Sequence, residues 1–328
     1  MNNHPRQGTA TLAIIIVMWN VRQFVLDCLR SVYDDLGRAP FAGQVWLVDN
    51  ASADGTAQAV REQFPQARLL EPGENLGFGR ANNLALRAMG FPDSDAALPD
   101  YVLLLNPDTI VVPGALTALV SAMESSDAGL AGARLVYGDG SFQHSAFAFP
   151  GLAQLFIDLF PVPARIRESR LNGRYPRSLY QGSEPFEVDH PLGAAFLLRK
   201  EAIQDTGLFD ERFHLYCEEI DWAMRIHQAG WRAICVPQAE IVHLEGQSTR
   251  QAQPQSIVNL WTARLKLYAK HYPLLKRWLA GRLVRAGMNR LIRLTARDSS
   301  RSEEARQQIV QAYRQVIRLS RSNLAKAT

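Results

Sequence analysis

Clusters of polar residues in this chain have the types and spacings that chemistry needs. The densest is Glu218-Glu219-Ile220-Asp221, three carboxylates within one helical turn, flanked by Tyr216 and Trp222. Carboxylates beside one another and beside apolar surface gain basicity, which a general base requires. Acids in a first turn also complement the helix dipole, so the cluster has a purely structural use too. Asn106-Pro107-Asp108 follows an apolar run. An acid at such an exit, next to a diphosphate, suits Mg²⁺ or Mn²⁺, which take hard oxygen ligands and keep positions for substrate. The same tripeptide also makes an ordinary Asx-Pro turn. His243 precedes Gly246 and reads either as a metal ligand or as a core histidine.

Two further stretches fit a phosphorylated ligand. In Asp49-Asn50-Ala51-Ser52-Ala53-Asp54-Gly55 a carboxylate can accept a hydrogen bond from a base or ribose, and the helix start that follows favours phosphate. Asp and Ser serve turns and N-caps equally well, with Ser52 or Asp54 as the expected cap. Asn75-Leu76-Gly77-Phe78-Gly79-Arg80-Ala81-Asn82-Asn83 is a glycine-containing loop opening a helix. Its glycines let backbone approach a ligand, and Arg80 suits a phosphate. It lacks the dinucleotide pattern G-x-G-x-x-G, because Asn82 stands at the third glycine.

The elements that must position these residues alternate in strand and helix patterns over residues 12–137, as in an α/β sheet with crossover helices. Leu12–Trp19, Val45–Val48, Arg68–Leu70, Tyr101–Leu105 and Leu130–Tyr137 read as strands. Phe24, Leu26, Cys28, Leu29, Val32 and Tyr33 give the first helix its apolar face. Three strands end at polar residues, Asn20, Asp49 and Asp108, and ligands of open α/β sheets bind at such carboxyl ends. Residues 150–185 contain prolines and arginines with no clear period, and are expected to form a mobile loop over the site. Phe186–Arg199 reads as a strand pair broken at Gly193, Glu219–Ala229 as a helix, and Trp231–Val236 and Glu240–Leu244 as two late strands. The rest is helical in pattern, with Pro273 as a break.

A hydrophobic content of 47% and a charged content of 21% are those of a globular protein. Cys28, Cys217 and Cys235 offer neither a zinc pattern nor a disulfide framework, which points to a reducing compartment. The apolar run at Leu12–Trp19 is too short for a membrane span, so a cytoplasmic protein is expected. The net charge of +4 is unevenly spread. From Ile257 onward 16 Lys and Arg face Asp298, Glu303 and Glu304, leaving 20 of the 36 basic and 29 of the 32 acidic residues before it. A catalytic body over 1–256 and a basic helical extension over 257–328 are therefore expected. In that tail Trp261, Leu265, Leu267, Tyr268, Leu274, Leu275, Trp278, Leu279, Leu283, Leu291 and Ile292 interleave with Lys and Arg. Such a pattern fits docking at an anionic membrane surface, or packing of the apolar set on the body. No nucleic-acid motif is present, and a homo-oligomer stays open.

The stretches IIIVMWN, WLVDNASADGT, ENLGFGRANN, LLLNPDT, LGAAFLLRKEAI, GLFDERFHLYCEEIDWAMRIHQAGW and VHLEGQST, in this order over residues 12–250, resemble the inverting family 2 glycosyltransferases. The likeness is nearest to the bacterial polysaccharide branch often called rhamnosyltransferases. It implies a GT-A fold, a Rossmann-like mixed sheet flanked by helices that handles nucleotide-diphospho-sugars. It also implies roles. Trp19 and Asn20 would lie beside the base, Asp49 on its ring or ribose with Ser52 nearby, and Asn75, Gly77 and Arg80 along the diphosphate. Asp108 matches the metal-binding Asp of the D-x-D element, with Asn106 replacing its first Asp, and His243 matches a histidine completing the metal site. Glu219 matches the catalytic base, where many relatives have Asp. Asp221 would be a supporting acid, and Gly193 and Ala194 would lie near the transferred sugar.

The implied reaction moves a sugar, with dTDP-rhamnose as leading donor, to an acceptor hydroxyl on a lipid-linked saccharide at the inner face of the membrane. It needs Mg²⁺ or Mn²⁺. A nucleotidyltransferase would need a basic glycine-rich loop after the first strand, where Trp19-Asn20-Val21 supplies none. A non-catalytic nucleotide-sugar-binding module would be favoured by loss of the acid at 108 or 219, and both are present.

Overall fold

The apolar run of the first strand, β1 (Thr11–Met18), is buried on both faces of a sheet. Successive side chains of a strand point to opposite sides. Leu12, Ile14, Ile16 and Met18 join one core with the helices α1 (Arg22–Leu36) and α2 (Thr56–Gln63). Ala13, Ile15 and Val17 join another with α3 (Phe78–Met89). A strand apolar at every position from Leu12 to Met18 thus lies in the middle layer of a three-layer α/β sandwich. The computed structural model describes residues 10–93, 98–244 and 253–322.

β2 (Ala42–Asp49) and β3 (Arg68–Leu70) extend the sheet in parallel on one side of β1, and β4 (Tyr101–Leu105) pairs with its other side. The chain order 3-2-1-4 reverses between β1 and β4, and that crevice is where such sheets bind ligands. Beyond β4 the sheet becomes mixed. A short strand β5 (Thr109–Val111) leads into α4 (Ala115–Glu124) and then β6 (Ala128–Val136), on which β7 (Phe142–Gln143) folds back. The pair β8 (Ala146–Phe147) and β10 (His190–Pro191) forms a separate ladder, while β9 (Phe186–Val188), between them in the chain, belongs to the main sheet. β11 (Ala195–Arg199) then inserts antiparallel between β4 and β6.

The two late strands expected from sequence are one, β12 (Arg232–His243). Its register shifts between Val236 and Glu240, so the strand bends and continues to pair His243 with Thr109 of β5. Residues 150–185, expected as a mobile loop over the site, carry regular structure. They form the helices α5 (Leu152–Leu159), α6 (Ala164–Arg167) and α7 (Arg177–Tyr180), and Leu155, Leu159 and Tyr180 are buried.

After α8 (Lys200–Thr206) and α9 (Glu218–Gln228) come three long helices, α10 (Gln253–His271), α11 (Leu274–Ala296) and α12 (Glu303–Ser322). Pro273 separates the first two, as its missing N–H requires. They pack on the body through Leu155, Leu159, Trp261, Leu265, Tyr268 and Val284, and through Phe213, Met224, Ala263 and Leu267. A Cβ at Gly287 would stand 2.6 Å from Leu159 Cδ2, so α11 and α5 touch at a residue without a side chain.

A buried ion cluster fastens α10 to α9. The Asp221 carboxylate is fully buried and accepts from Lys270 Nζ at 2.7 Å, from His271 Nε2 at 2.7 Å and from Arg225 Nε at 3.0 Å. Lys270 also reaches Asp210 at 2.7 Å. Burial alone would raise the Asp221 carboxyl, but these bonds outweigh it and hold it below its ordinary value. A carboxylate depressed by folding stabilises fully above its unfolded pKa, and that contribution is lost as pH falls through the folded value. Asp221→Asn is therefore expected to lower thermal stability at neutral pH, with the gap to wild type closing in melts run below about pH 4. A gap that stays constant with pH would contradict the assignment.

Candidate functional site

The carboxyl ends of β1 and β2 form one side of the site. Asn20 and Ala51 have positive φ, 52° and 60°, uncommon for residues with a side chain. These turns are held by reciprocal bonds: Asn20 N–H donates to Ser52 Oγ at 3.0 Å, and Ala53 N–H donates to Asn20 Oδ1 at 2.8 Å. Ser52 N–H donates to Asp49 Oδ2 at 3.1 Å, while Asp49 Oδ1 is buried with no hydrogen-bond partner. A buried carboxylate oxygen without a donor is costly and matches the N–H or O–H of a ligand. Ser52 is thus part of the loop clasp rather than the cap of α2. That helix starts at Thr56 after an N-cap at Gly55, and Asp54 accepts from Thr56 N–H at 3.1 Å. Trp19 is half-buried at the same strand end.

The glycine loop is tied to this turn by Asn50, which sequence reasoning passed over although it follows Asp49 directly. Its side chain accepts from Leu76 N–H at 3.3 Å and donates to Gly77 O at 3.2 Å. Asn75 Oδ1 accepts from Gly77 N–H at 2.9 Å. Gly77 has φ 76° and ψ −177°, a region open essentially to glycine alone, and a Cβ would stand 2.4 Å from the His214 carbonyl oxygen. Gly77→Ala is expected to destabilise by about 1–3 kcal/mol and to weaken nucleotide binding, read as a smaller nucleotide-induced rise in melting temperature. An alanine variant with wild-type melting would contradict this geometry. Arg80 is half-exposed in the first turn of α3, 3.8 Å from Glu211, where screening leaves such a pair little energy.

Asp108 and His243 are brought together by the β5–β12 pairing. His243 Nε2 lies 3.6 Å from Asp108 Oδ1, and both side chains are buried. His243 Nδ1 is 3.2 Å from Gln143 Oε1, the kind of support that orients a metal-ligating imidazole. Among the described residues no three His, Cys, Asp or Glu side chains gather as a metal cage. One carboxylate and one imidazole, facing each other beside the sheet's ligand crevice, fit a cation that takes its remaining ligands from substrate and water. The motif that includes His243 runs on into 245–249, outside the described residues.

The same loop reaches the acids. Asn106 N–H donates to Ala194 O at 3.0 Å, and Gly193, next in line, is so close to Glu219 that a Cβ would stand 3.3 Å from its Cγ. Cys217 and Tyr216, just before α9, have φ of 64° and 73°. All four positive-φ residues with side chains among the described residues therefore lie in the turns that shape this site, and strain of this kind collects at functional sites. Glu218 is buried with one carboxyl oxygen unpartnered; burial first, and the Glu219 charge second, push its pKa well above the ordinary range. Glu219 is only partly covered and lines a cavity, and burial raises its carboxyl too. Asp221, expected as a supporting acid, has its carboxylate taken up by Lys270, His271 and Arg225.

Comparison with known proteins gives this arrangement a context. The family described as Glycosyl transferase family 2 matches residues 13–207. The N-acetylglucosaminyl-diphospho-decaprenol L-rhamnosyltransferase of Mycobacterium tuberculosis is 35% identical over 209 residues, covering 62% of this chain and 67% of that protein. The rhamnosyltransferase WbbL of Escherichia coli is 27% identical over 176 residues, 53% of this chain and 63% of that protein. Among solved structures, a mannosyltransferase from Pyrobaculum calidifontis in complex with GDP-Man and Mn²⁺ superposes with a TM-score of 0.53 at 16% identity, covering 97% of this chain and 88% of that one. GalNAc-T7 with UDP, GalNAc and Mn²⁺ does so at 0.55 and 14% identity, over 80% of this chain and 48% of that one. Both likenesses confirm the expected fold, a mixed α/β sheet flanked by helices with helices at the C-terminal end.

Proposed function

This chain belongs to glycosyl transferase family 2, and from that premise we propose that it transfers rhamnose, with inversion, from dTDP-rhamnose to a saccharide carried on a polyprenyl diphosphate. The observation that supports the reading is the short path from Asp108 along the chain to Asn106, across the Asn106–Ala194 hydrogen bond, and on to Gly193, which packs closely against Glu219. It sets a cation-binding acid and a basic carboxylate on either side of one small loop. The sugar class and the lipid-diphosphate acceptor follow from the mycobacterial relative's name.

In this reaction the acceptor oxygen bonds to the anomeric carbon as the bond from that carbon to the diphosphate oxygen breaks. Glu219 takes the hydroxyl proton, and the nucleoside diphosphate leaves with the electron pair. The unpartnered Asp49 Oδ1 accepts from the nucleoside, and the Gly77 loop with Arg80 flanks the diphosphate. Asp108 and His243 would hold Mg²⁺ or Mn²⁺, whose chemistry there is to neutralise charge on the diphosphate. Burial and the Glu219 charge push the Glu218 carboxyl further up than that of Glu219, so Glu219 is the first of the pair to ionise. A thermal-shift screen of nucleotide sugars with Mg²⁺, followed by transfer to N-acetylglucosaminyl diphosphate carrying a short alkyl chain, tests the assignment. dTDP-rhamnose should give the largest shift and a rhamnosylated product; a larger shift and product with another nucleotide sugar would replace rhamnose as the donor.

The reading includes docking at an anionic membrane surface, and the apolar residues of the tail divide on it. Trp261, Leu265, Leu267 and Tyr268 pack inside. Leu274, Leu275 and Trp278 are 67%, 69% and 54% exposed on the first turns of α11, with Leu279 beside them and Lys276, Arg277 and Arg282 interspersed. Exposed apolar side chains ringed by cations fit the interface of an anionic bilayer, at about 1 kcal/mol per basic residue. Among the described residues no helix is long and apolar enough to cross a membrane. The full chain should float with anionic vesicles at low salt and far less at high salt. Leu275→Ser combined with Trp278→Ser should reduce flotation several-fold with little change in melting temperature. A wild-type chain that ignores anionic vesicles at low salt would remove the membrane from the account.

A further inference from the structure

Beside Glu219 opens a cavity of ≈ 260 Å³, close to the lower end of the range for small-ligand sites. Its walls come from β8, α5, the turn before Arg174, β10 and α10, so the body and the C-terminal helices each supply part of it. Across it runs an ion pair, Arg264 of α10 to Asp158 of α5 at 2.7 Å, with side chains 30% and 36% exposed. Phe147 and His190, stacked at 5.9 Å, give it an aromatic wall.

We propose that this cavity receives the acceptor's terminal saccharide unit, and that the Asp158–Arg264 pair reads its hydroxyls. The proposal rests on the glycosyl-transfer reading above. Several features lead there. The cavity contains the carboxylate assigned to take the acceptor's proton, so a hydroxyl lying in it meets the base. The arginines of its lining are paired: Asp158 balances Arg264, and Glu168 balances Arg174. With the Glu219 carboxylate added, such a lining favours a neutral polyol over a phosphate, which would call for unpaired cations. The single bond between Arg264 Nη1 and Asp158 Oδ2 leaves a planar guanidinium and a carboxylate with capacity for further bonds. Charged groups fixed against one another in this way suit the vicinal hydroxyls of a sugar, and an aromatic wall suits its C–H face.

The tail then has a second use. α10 places Arg264 in the acceptor's site while Lys270 and His271, two turns on, grip Asp221 on the helix that carries Glu219. The acceptor wall and the base are held in one assembly.

Asp158→Asn and Arg264→Gln, made in the full chain, test the assignment with dTDP-rhamnose and the short-chain N-acetylglucosaminyl diphosphate. Each should raise the acceptor KM about tenfold or more, as expected for losing hydrogen bonds to a charged group, while the donor KM moves less than about twofold. Arg264→Lys, which keeps the charge but loses the fork, should fall between wild type and Arg264→Gln. A retained donor-induced rise in melting temperature shows that each variant is folded. An unchanged acceptor KM, or acceptor and donor KM rising together, overturns the assignment while the transferase reading stands. If the wild-type chain transfers sugar to no saccharide from any nucleotide sugar, both fall.

Discussion

Glu219→Gln should lower kcat by about two to four decades while leaving donor binding nearly intact. The substitution keeps the shape of a side chain packed beside Gly193 and lining the acceptor cavity, but an amide cannot accept the proton. Glu218→Gln should cost much less, because burial pushes the Glu218 carboxyl well up and makes it the later of the two to ionise. The pH profile carries the same signature. A base must be ionised, and burial raises the Glu219 carboxyl, so the acid limb of kcat should fall off above the ordinary glutamate range. Because Glu218 ionises after Glu219, it presents no charge while Glu219 titrates, and Glu218→Gln should leave that limb close to its wild-type position. A larger loss with Glu218→Gln than with Glu219→Gln would reverse the assignment.

Asp108→Ala should abolish measurable transfer without unfolding the protein. Asp108 sits in the exit loop of β4, and its carboxylate faces His243 rather than supporting the sheet. EDTA should reproduce the effect in the wild type, and added Mn²⁺ or Mg²⁺ should restore it; neither ion should rescue Asp108→Ala. His243→Ala should be milder, since a neutral ligand adds less than a carboxylate where the ion also meets diphosphate. Gln143→Ala, which removes the partner of His243 Nδ1, should weaken Mn²⁺ dependence by about tenfold or more. Full activity in chelator would take the cation out of the mechanism.

Much of this site is readable along the chain because its residues stand at strand exits. Asn20, Asp49 and Asp108 follow apolar runs whose ends place them on one edge of the sheet, and strand length alone reveals that. What could not be read depends on partners far away in sequence. Leu152, Leu155, Phe156 and Leu159 have helical spacing, but the surrounding prolines mask it, and Gly287, against which Leu159 packs, lies on α11. Asp221 reads as a member of an acidic cluster until Lys270 and His271 are folded against it. The tail's interleaved apolar and basic residues are compatible with core or membrane, and only the fold separates buried Leu265 from exposed Leu275. The two late strands merge because a bulge is invisible to a two-residue period.

The central claim, that Glu219 delivers an acceptor hydroxyl to the anomeric carbon from the face opposite the diphosphate, is tested most directly by the configuration of the product. The purified full chain, dTDP-rhamnose, Mn²⁺ and the short-chain N-acetylglucosaminyl diphosphate should yield a new glycoside. Its anomeric one-bond carbon–hydrogen coupling, measured by NMR, should report the configuration opposite to that of the donor. A product that retains the donor's configuration would contradict the single-displacement account and the role assigned to Glu219.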